Sequence, residues 1–199
     1  MIHGQGEIRR AVAGDIDGIL RIDHHAANGD QRRAGFLRRC LDLGECLVYL
    51  DRGSVAGFAV VRPAHFFGRD FVELLMVDPA RRRGGIGRNL LRAALAAADT
   101  EQVFTSTNTS NQPMRSLLRA EGWSFSGELD GLDEGDPELV FYSTSGQARS
   151  SLWRCACLAR QGGTPPGTAG CRRRSGPCAR RGAAASPGPV PRNAAHRRR

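Results

Sequence analysis

Lysine is missing from this chain: all 29 cationic side chains among its 199 residues are arginine. A Walker-type phosphate loop, Gly-x-x-x-x-Gly-Lys-Ser/Thr, is thereby excluded. Long apolar runs are missing too. No stretch approaches the roughly 20 apolar residues that cross a bilayer. The opening MIHGQGEIRR has no apolar centre of the kind a secretion signal needs. The expectation is a soluble, cytoplasmic protein with no membrane partner. Cysteine is scarce, six residues in scattered positions, which argues against a disulfide framework. Cys155-x-Cys157 and Cys171-x6-Cys178 lack the usual metal-ligand spacing, so no metal is expected. Cys40 and Cys46 sit among apolar residues and read as small buried hydrophobes.

The formal charge of +9 and a pI near 10.4 point at first to nucleic acid or an acidic surface. The distribution says otherwise. Residues 144–199 hold twelve arginines and no acid, while residues 1–143 hold 17 arginines against 20 acids, a net of −3. The body is mildly acidic and the tail is basic. TPPGTAG, SGPCARRG and ASPGPVPRNAAHRRR offer little apolar surface to offset the entropy of ordering, so residues 144–199 are expected to be disordered. A weak apolar stretch, Leu152 to Leu158, is the exception. The tail carries Trp153 but no interleaved aromatics and no reading motif, which makes a nucleic-acid partner a poor fit.

Within residues 1–143 the periodicities alternate in an orderly way. EIRRAV (7–12) reads as a strand. Asp15 is placed to cap a helix with Ile16, Ile19 and Leu20 at helical spacing. HHAANGD breaks it, and a second helix follows around Gln31–Leu43 with Leu37, Cys40 and Leu41 on one face. CLVYL, VAGFAVV and FVELLMV are three strands joined by DRG and AHFFGRD, a meander. Leu90, Leu91, Ala94, Leu95 and Ala98 make a helical stripe. EQVFTST is a strand, and Asn111–Ala120 a short helix with Met114, Leu117 and Leu118 inward. Gly122 ends that helix, and WSFSGEL and ELVFYS are the last strands. The expected fold is α/β (an α+β layer), in the order β-α-α-β-β-β-α-β-α-β-β.

The third meander strand ends in LMVDPARRRGGIGRNLL (75–91). Glycines at a strand-to-helix corner let backbone N–H groups approach something negative. A Rossmann fingerprint fits poorly, because G-I-G-R-N-L lacks the third glycine and the corner follows a meander rather than the first strand of a βαβ unit. The remaining reading is Arg/Gln-x-x-Gly-x-Gly/Ala after a strand ending in Val-Asp-Pro, here Arg82-Arg83-Gly84-Gly85-Ile86-Gly87. The N–H groups of Arg83 to Arg88 lie before or in the first helical turn, where intrahelical partners are lacking and the helix dipole is positive. The side chains of Arg82, Arg83 or Arg88 can add charge. The competing reading is a plain turn with solvated arginines.

This stretch resembles the acyl-CoA pyrophosphate loop of the GNAT N-acetyltransferase superfamily. The resemblance spans residues 7–143 and includes Asn111-x-x-Met114-x-x-Leu117-Leu118-x-x-x-Gly122-Trp123, similar to the family's Asn-x-x-Ala-x-x-Leu-Tyr-x-x-x-Gly-Phe. It implies a mixed, mostly antiparallel central sheet flanked by helices, acetyl-CoA as co-substrate, and an amine acceptor on a small molecule or a protein. It implies that Leu75, Met76 and Val77 pair their backbone with the pantetheine arm, and that Asn111 contacts the same ligand. Asn111 also reads as a helix N-cap, with Pro113 in the first turn. Leu118 departs from the family, which commonly has a tyrosine there to protonate the leaving thiolate; leucine cannot.

Glu73 is the candidate general base. Strict alternation puts it on the face of Leu75 and Val77, and a carboxylate among apolar strand residues needs a reason. Partial burial would raise its pKa toward useful values, and spermidine/spermine-type acetyltransferases are similar in placing a glutamate here. The alternative is an exposed Glu73 or one paired with an arginine. Asp130, Asp133, Glu134, Asp136 and Glu138 surround the last β–β connection, which in the family borders the acceptor entrance; they would attract a cationic amine or serve as a plain solvated turn. The resulting expectation is an N-acetyltransferase acting by direct attack of the amine, in a domain of residues 1–143. The rival classes are a non-catalytic acyl-CoA-binding or regulatory module, and a nucleic-acid-associated protein working through its basic tail.

Overall fold

The structure is a computed structural model that describes residues 6–144; of the tail expected to be disordered from residue 144, Thr144 is the last residue of the final strand, and residues 145–199, with the stretch Leu152–Leu158, lie outside the described residues. Strand β1 (Glu7–Arg10) passes through a 3-10 turn into α1 (Ile16–Ile22), α2 (His24–Ala27) and α3 (Gln31–Asp42). The meander is β2 (Cys46–Asp51), β3 (Ser54–Phe66) and β4 (Arg69–Val77). Then come α4 (Ile86–Ala97), β5 (Gln102–Asn108), α5 (Gln112–Ala120), β6 (Ser124–Leu129) and β7 (Glu138–Thr144).

The order matches the sequence reading with one addition. HHAANGD, expected only to break a helix, contains the four residues of α2. The cause is Asp23, which is fully buried: one carboxylate oxygen accepts from Ala26 N at 3.0 Å and the other from Arg33 Nε at 2.9 Å. The carboxylate thus caps α2 and ties it to α3. Asp15 is a correction. It stands at the start of α1 but its side chain makes no capping bond to that helix; the carboxylate instead accepts from both terminal guanidinium nitrogens of Arg9 (2.7 and 3.0 Å) and from Val12 N at 2.7 Å, which closes the preceding 3-10 turn.

The sheet runs β1-β2-β3-β4-β5-β7-β6, antiparallel throughout except for the β4–β5 pair. Each face has its own core. On one, Leu90, Leu91 and Ala94 of α4 and Leu118 of α5 pack on Ala59, Val72 and Val103. On the other, Ile19 and Ile22 of α1 and Leu37 and Cys40 of α3 pack on Val48, Phe58 and Val60. Leu37, Leu90 and Leu91 are shut off from solvent, each stabilising by about 1.5–3 kcal/mol. Cys40 and Cys46 are free, buried members of the second core, and burial pushes both thiols up to about 12.

Gly57 fixes where α4 starts. A Cβ on it would stand 2.9 Å from the Met76 carbonyl oxygen, 3.0 Å from Leu90 Cδ1 and 3.1 Å from Ile86 Cγ2. A bare backbone in the middle of β3 is what lets the first turn of α4 lie flat on the sheet.

Candidate functional site

Two features meet at the end of β4. The first is the glycine corner. Asp78 accepts from Ala80 N at 3.0 Å and starts a 3-10 turn (Pro79–Arg81), and Arg81 is anchored to Asp51 at 2.8 Å. The chain then takes two left-handed steps, at Arg83 (φ 66°) and at Gly85 (φ 82°), before α4 begins at Ile86. A glycine is needed at the second step, where an L-side chain is strained. Nothing lies within 4 Å of a Cβ built on Gly85, and residues 82–85 are all exposed. The first bond back into the helix is Asn89 N to Gly85 O at 3.0 Å, so the N–H groups of Ile86, Gly87 and Arg88 face the open corner without intrahelical partners.

The second feature is a fork in the sheet. β4 and β5 pair only at Asp70–Val103, Phe71–Phe104 and Val72–Thr105. Thr105 Oγ1 donates to Val72 O at 2.8 Å at the last rung. Beyond it, Leu74 to Val77 keep β3 on one edge, and Glu73 to Val77 have no strand on the other. Their free backbone groups are available to an extended ligand, as an added strand would use them. Leu75, Val77 and Leu117 converge beside Gly87, with Cδ2, Cγ2 and Cδ2 atoms 3.5–3.6 Å from the place of its missing Cβ. Apolar side chains thus line the stretch between the glycine corner and the unpaired edge.

The predicted residues fall into place unevenly. Leu75, Met76 and Val77 contribute the free edge; Leu75 and Val77 face the α4–α5 core, whereas Met76 faces the opposite one. Arg82, Arg83, Gly84, Gly85, Ile86 and Gly87 form the corner. The Arg82 guanidinium turns back to Val77 O at 3.3 Å. Arg83 is exposed and touches no protein group among the described residues. Arg88 is a correction as a side-chain donor: its Nε is held by Glu121 at 2.9 Å, on a carboxylate that also binds Arg92 at 2.6 Å. Only its backbone belongs to the corner. Asn111 Oδ1 accepts from Met114 N at 3.3 Å, so it caps α5. Leu118 is wholly buried in the core, with no polar atom to offer.

Glu73 is the largest correction of geometry. Val60 pairs with Leu74 and Val61 with Val72, so Glu73 is an extra residue in a β-bulge. The bulge resets the alternation: Val72 faces the same core as Leu75, and Glu73 turns to the opposite side of the sheet, away from Leu75 and Val77. There Oε2 accepts from Arg62 Nη1 at 2.9 Å. Arg62 Nε also lies 2.9 Å from Glu45 Oε2, an ion pair not aligned as a hydrogen bond, and its guanidinium sits 5.7 Å from the centre of the Phe36 ring. Burial opposes the charge of Arg62, but Glu45 and Glu73 outweigh it and raise the pKa. Glu73 is the first residue past the last β4–β5 rung, so this ion cluster stands at the fork.

Two of the acids at the β6–β7 connection are not free charges. Asp136 accepts from Ser110 Oγ at 2.6 Å and Ser110 N at 2.8 Å, and these bonds lower its pKa. Asp133 accepts from Asn108 Nδ2 at 2.8 Å. They lash the connection to the β5–α5 corner beside Asn111. Gly57, Arg62, Glu45 and Thr105 were not singled out in sequence. Glycine inside VAGFAVV and arginine at the end of that apolar run were the available signals.

The fold and corner define an α/β protein with a glycine corner at a helix N-terminus and a split sheet leading away from it. The profile of the acetyltransferase (GNAT) family matches residues 18–123. A GNAT family acetyltransferase from Bacillus cereus is 34% identical, covering 73% of this chain and 100% of its own, with a TM-score of 0.67. The chain belongs to the GNAT acetyltransferase family, and with it to the acyltransferases. At lower identity the fold recurs in YncA from Salmonella typhimurium, solved with its cofactor acetyl-CoA (20% identity, 74% of this chain and 98% of that one, TM-score 0.59). It recurs also in a ribosomal-protein-alanine N-acetyltransferase from Brucella melitensis (24%, 69% and 99%, TM-score 0.58). No curated protein sequence matches the chain.

Proposed function

We propose that residues 1–143 form a cytoplasmic N-acetyltransferase domain that moves an acetyl group from acetyl-CoA to a primary amine, with cationic amines preferred. The observation that carries this reading is the continuity of the glycine corner, the free edge of β4 and the carboxylate at the fork. A pyrophosphate suits the N–H groups of Ile86, Gly87 and Arg88 and the free Arg83 side chain. An amide-bearing arm suits the edge Glu73–Val77 and the apolar wall of Leu75, Val77 and Leu117. Acetyl-CoA then brings its thioester, the activated carbonyl, to the fork.

The chain's own groups do the rest. Alignment of amine and carbonyl is worth much of the barrier. A free backbone N–H past the last rung can polarise the carbonyl. Glu73 uses only Oε2 for Arg62, and Oε1 is open to take a proton from the incoming ammonium, directly or through water. Leu118 protonates nothing, so the thiolate leaves as such or takes its proton from solvent. Glu45 and Glu73 outnumber Arg62 at the fork, which favours a cationic acceptor.

The test is purified protein with acetyl-CoA and an amine panel, following free thiol release. Turnover separates an enzyme from a binding module. Glu73→Gln should lower kcat about a hundred- to ten-thousand-fold, with acetyl-CoA affinity unchanged and recovery as pH rises and the amine sheds its own proton. Wild-type kcat in that variant at neutral pH would remove Glu73 from the mechanism.

A further inference from the structure

We propose that His65 is the proton outlet of the site, passing the proton that Glu73 receives on to solvent. This rests on the acetyl-transfer reading above. Each ammonium acetylated yields an amide, the CoA thiol and one proton, so a base at the fork must be emptied on every turnover. The N–C bond forms as the C–S bond breaks; the thiolate keeps the electron pair and regains one proton, and the other has to leave.

Of the side chains around Glu73, one is suited to a relay. The titratable groups that face it are Arg62, Glu45, Cys40 and His65. An arginine does not give up its proton. Cys40 is buried and its thiol is pushed up to about 12, so it neither releases nor relays one near neutrality. Glu45 is taken by Arg62. His65 Nε2 lies 3.9 Å from Glu73 Oε2, so a turn of the carboxyl group or one water carries the proton from Oε1 to the imidazole, whose side chain is 49% exposed against 28% for Glu73. Imidazole is the side chain suited to take and release protons between pH 5 and 8.

The position of His65 is built rather than incidental. The β3–β4 register slips between Arg62 and Phe66, so residues 63–65 leave the ladder. Ala64 sits in the left-handed region at φ 50°, a costly place for a residue with a Cβ. It is held there by Asp70, whose Oδ1 accepts from Ala64 N at 2.9 Å. Asp70 is itself 3% exposed, and its Oδ2 accepts from Asp99 N at 2.6 Å and Thr100 N at 3.3 Å. A buried carboxylate thus pins the kink that turns His65 toward Glu73.

The experiment compares wild type, His65→Ala, His65→Asn and Glu73→Gln over pH 6–9 with the best amine of the panel. Both His65 variants should lower kcat at about pH 7 roughly ten- to a hundred-fold, less than Glu73→Gln. KM for acetyl-CoA and for the amine should hold, and the deficit should close toward alkaline pH, where solvent accepts the proton directly. Added imidazole should restore His65→Ala. Wild-type kcat in His65→Ala beside a slow Glu73→Gln overturns the relay and leaves the acetyl-transfer reading standing. A slow His65→Ala that imidazole does not restore, with a normal His65→Asn, marks a structural residue and overturns it too. No thiol release by the wild type with any amine sinks both.

Discussion

Gly85 shows how much one residue can decide. It combines a left-handed backbone, an exposed position and the N-cap of α4, with empty space where its Cβ would be. Acetyl-CoA should raise the melting temperature of the wild type, because a ligand that binds only the folded state stabilises it. Gly85→Val should lower the unliganded melting temperature, since an L-residue in that backbone region costs about 1–2 kcal/mol. It should also abolish the ligand-induced rise if, as proposed, the corner cradles the pyrophosphate, because the side chain would fill that space. Calorimetry with and without acetyl-CoA separates the two effects, and an undiminished rise in the variant refutes the cradle. At the same scale Glu73 teaches the opposite lesson. Its identity singled it out, but its direction depended on one inserted residue that the alternation of FVELLMV does not reveal.

At the scale of elements, the site is the meeting of α4 with the unpaired half of β4, and Gly57 sets their distance. Gly57→Val places carbon atoms where Leu90, Ile86 and the Met76 carbonyl already stand. Overpacking of this kind costs about 1–3 kcal/mol, and here the relief available is to lift the first turn of α4. Acetyl-CoA affinity should therefore fall together with stability, although residue 57 is outside the corner. Equilibrium unfolding alongside ligand titration checks this, and full affinity in a destabilised variant would show that α4 does not move. The elements themselves were readable: every predicted strand and helix in residues 7–143 exists, with ends displaced by a few residues. The short α2 escaped because its four residues carry no periodic stripe, and a buried cap creates it.

For the whole molecule, charge is arranged as paired contacts within an acidic body. Asp15 is 7% exposed, and its bonds to Arg9 hold its pKa below the usual carboxylate value against the opposing effect of burial. A lowered folded pKa means the contribution is complete above the unfolded carboxylate value and is lost as pH falls through the folded one. Asp15→Asn should cost about 1–3 kcal/mol at neutral pH, and the gap in melting temperature between variant and wild type should narrow below about pH 4. A gap that is constant down to pH 2 would assign the effect to packing rather than charge.

The sequence by itself determined the layer order, the helix and strand faces, the strand-to-helix corner and the absence of a Walker loop. These depend on local periodicity and on residue types at fixed spacing, and each is written within one element. Only the tertiary structure decided where β4 and β5 part, which way Glu73 points, that Arg62 holds it while also pairing with Glu45, that Arg88 is drawn off by Glu121, and that Asp133 and Asp136 fasten a loop. Each of these joins residues far apart in the chain, through a bulge, a register slip or an ion pair. Their partners are chosen by how two separately formed elements pack, and no local pattern records that choice.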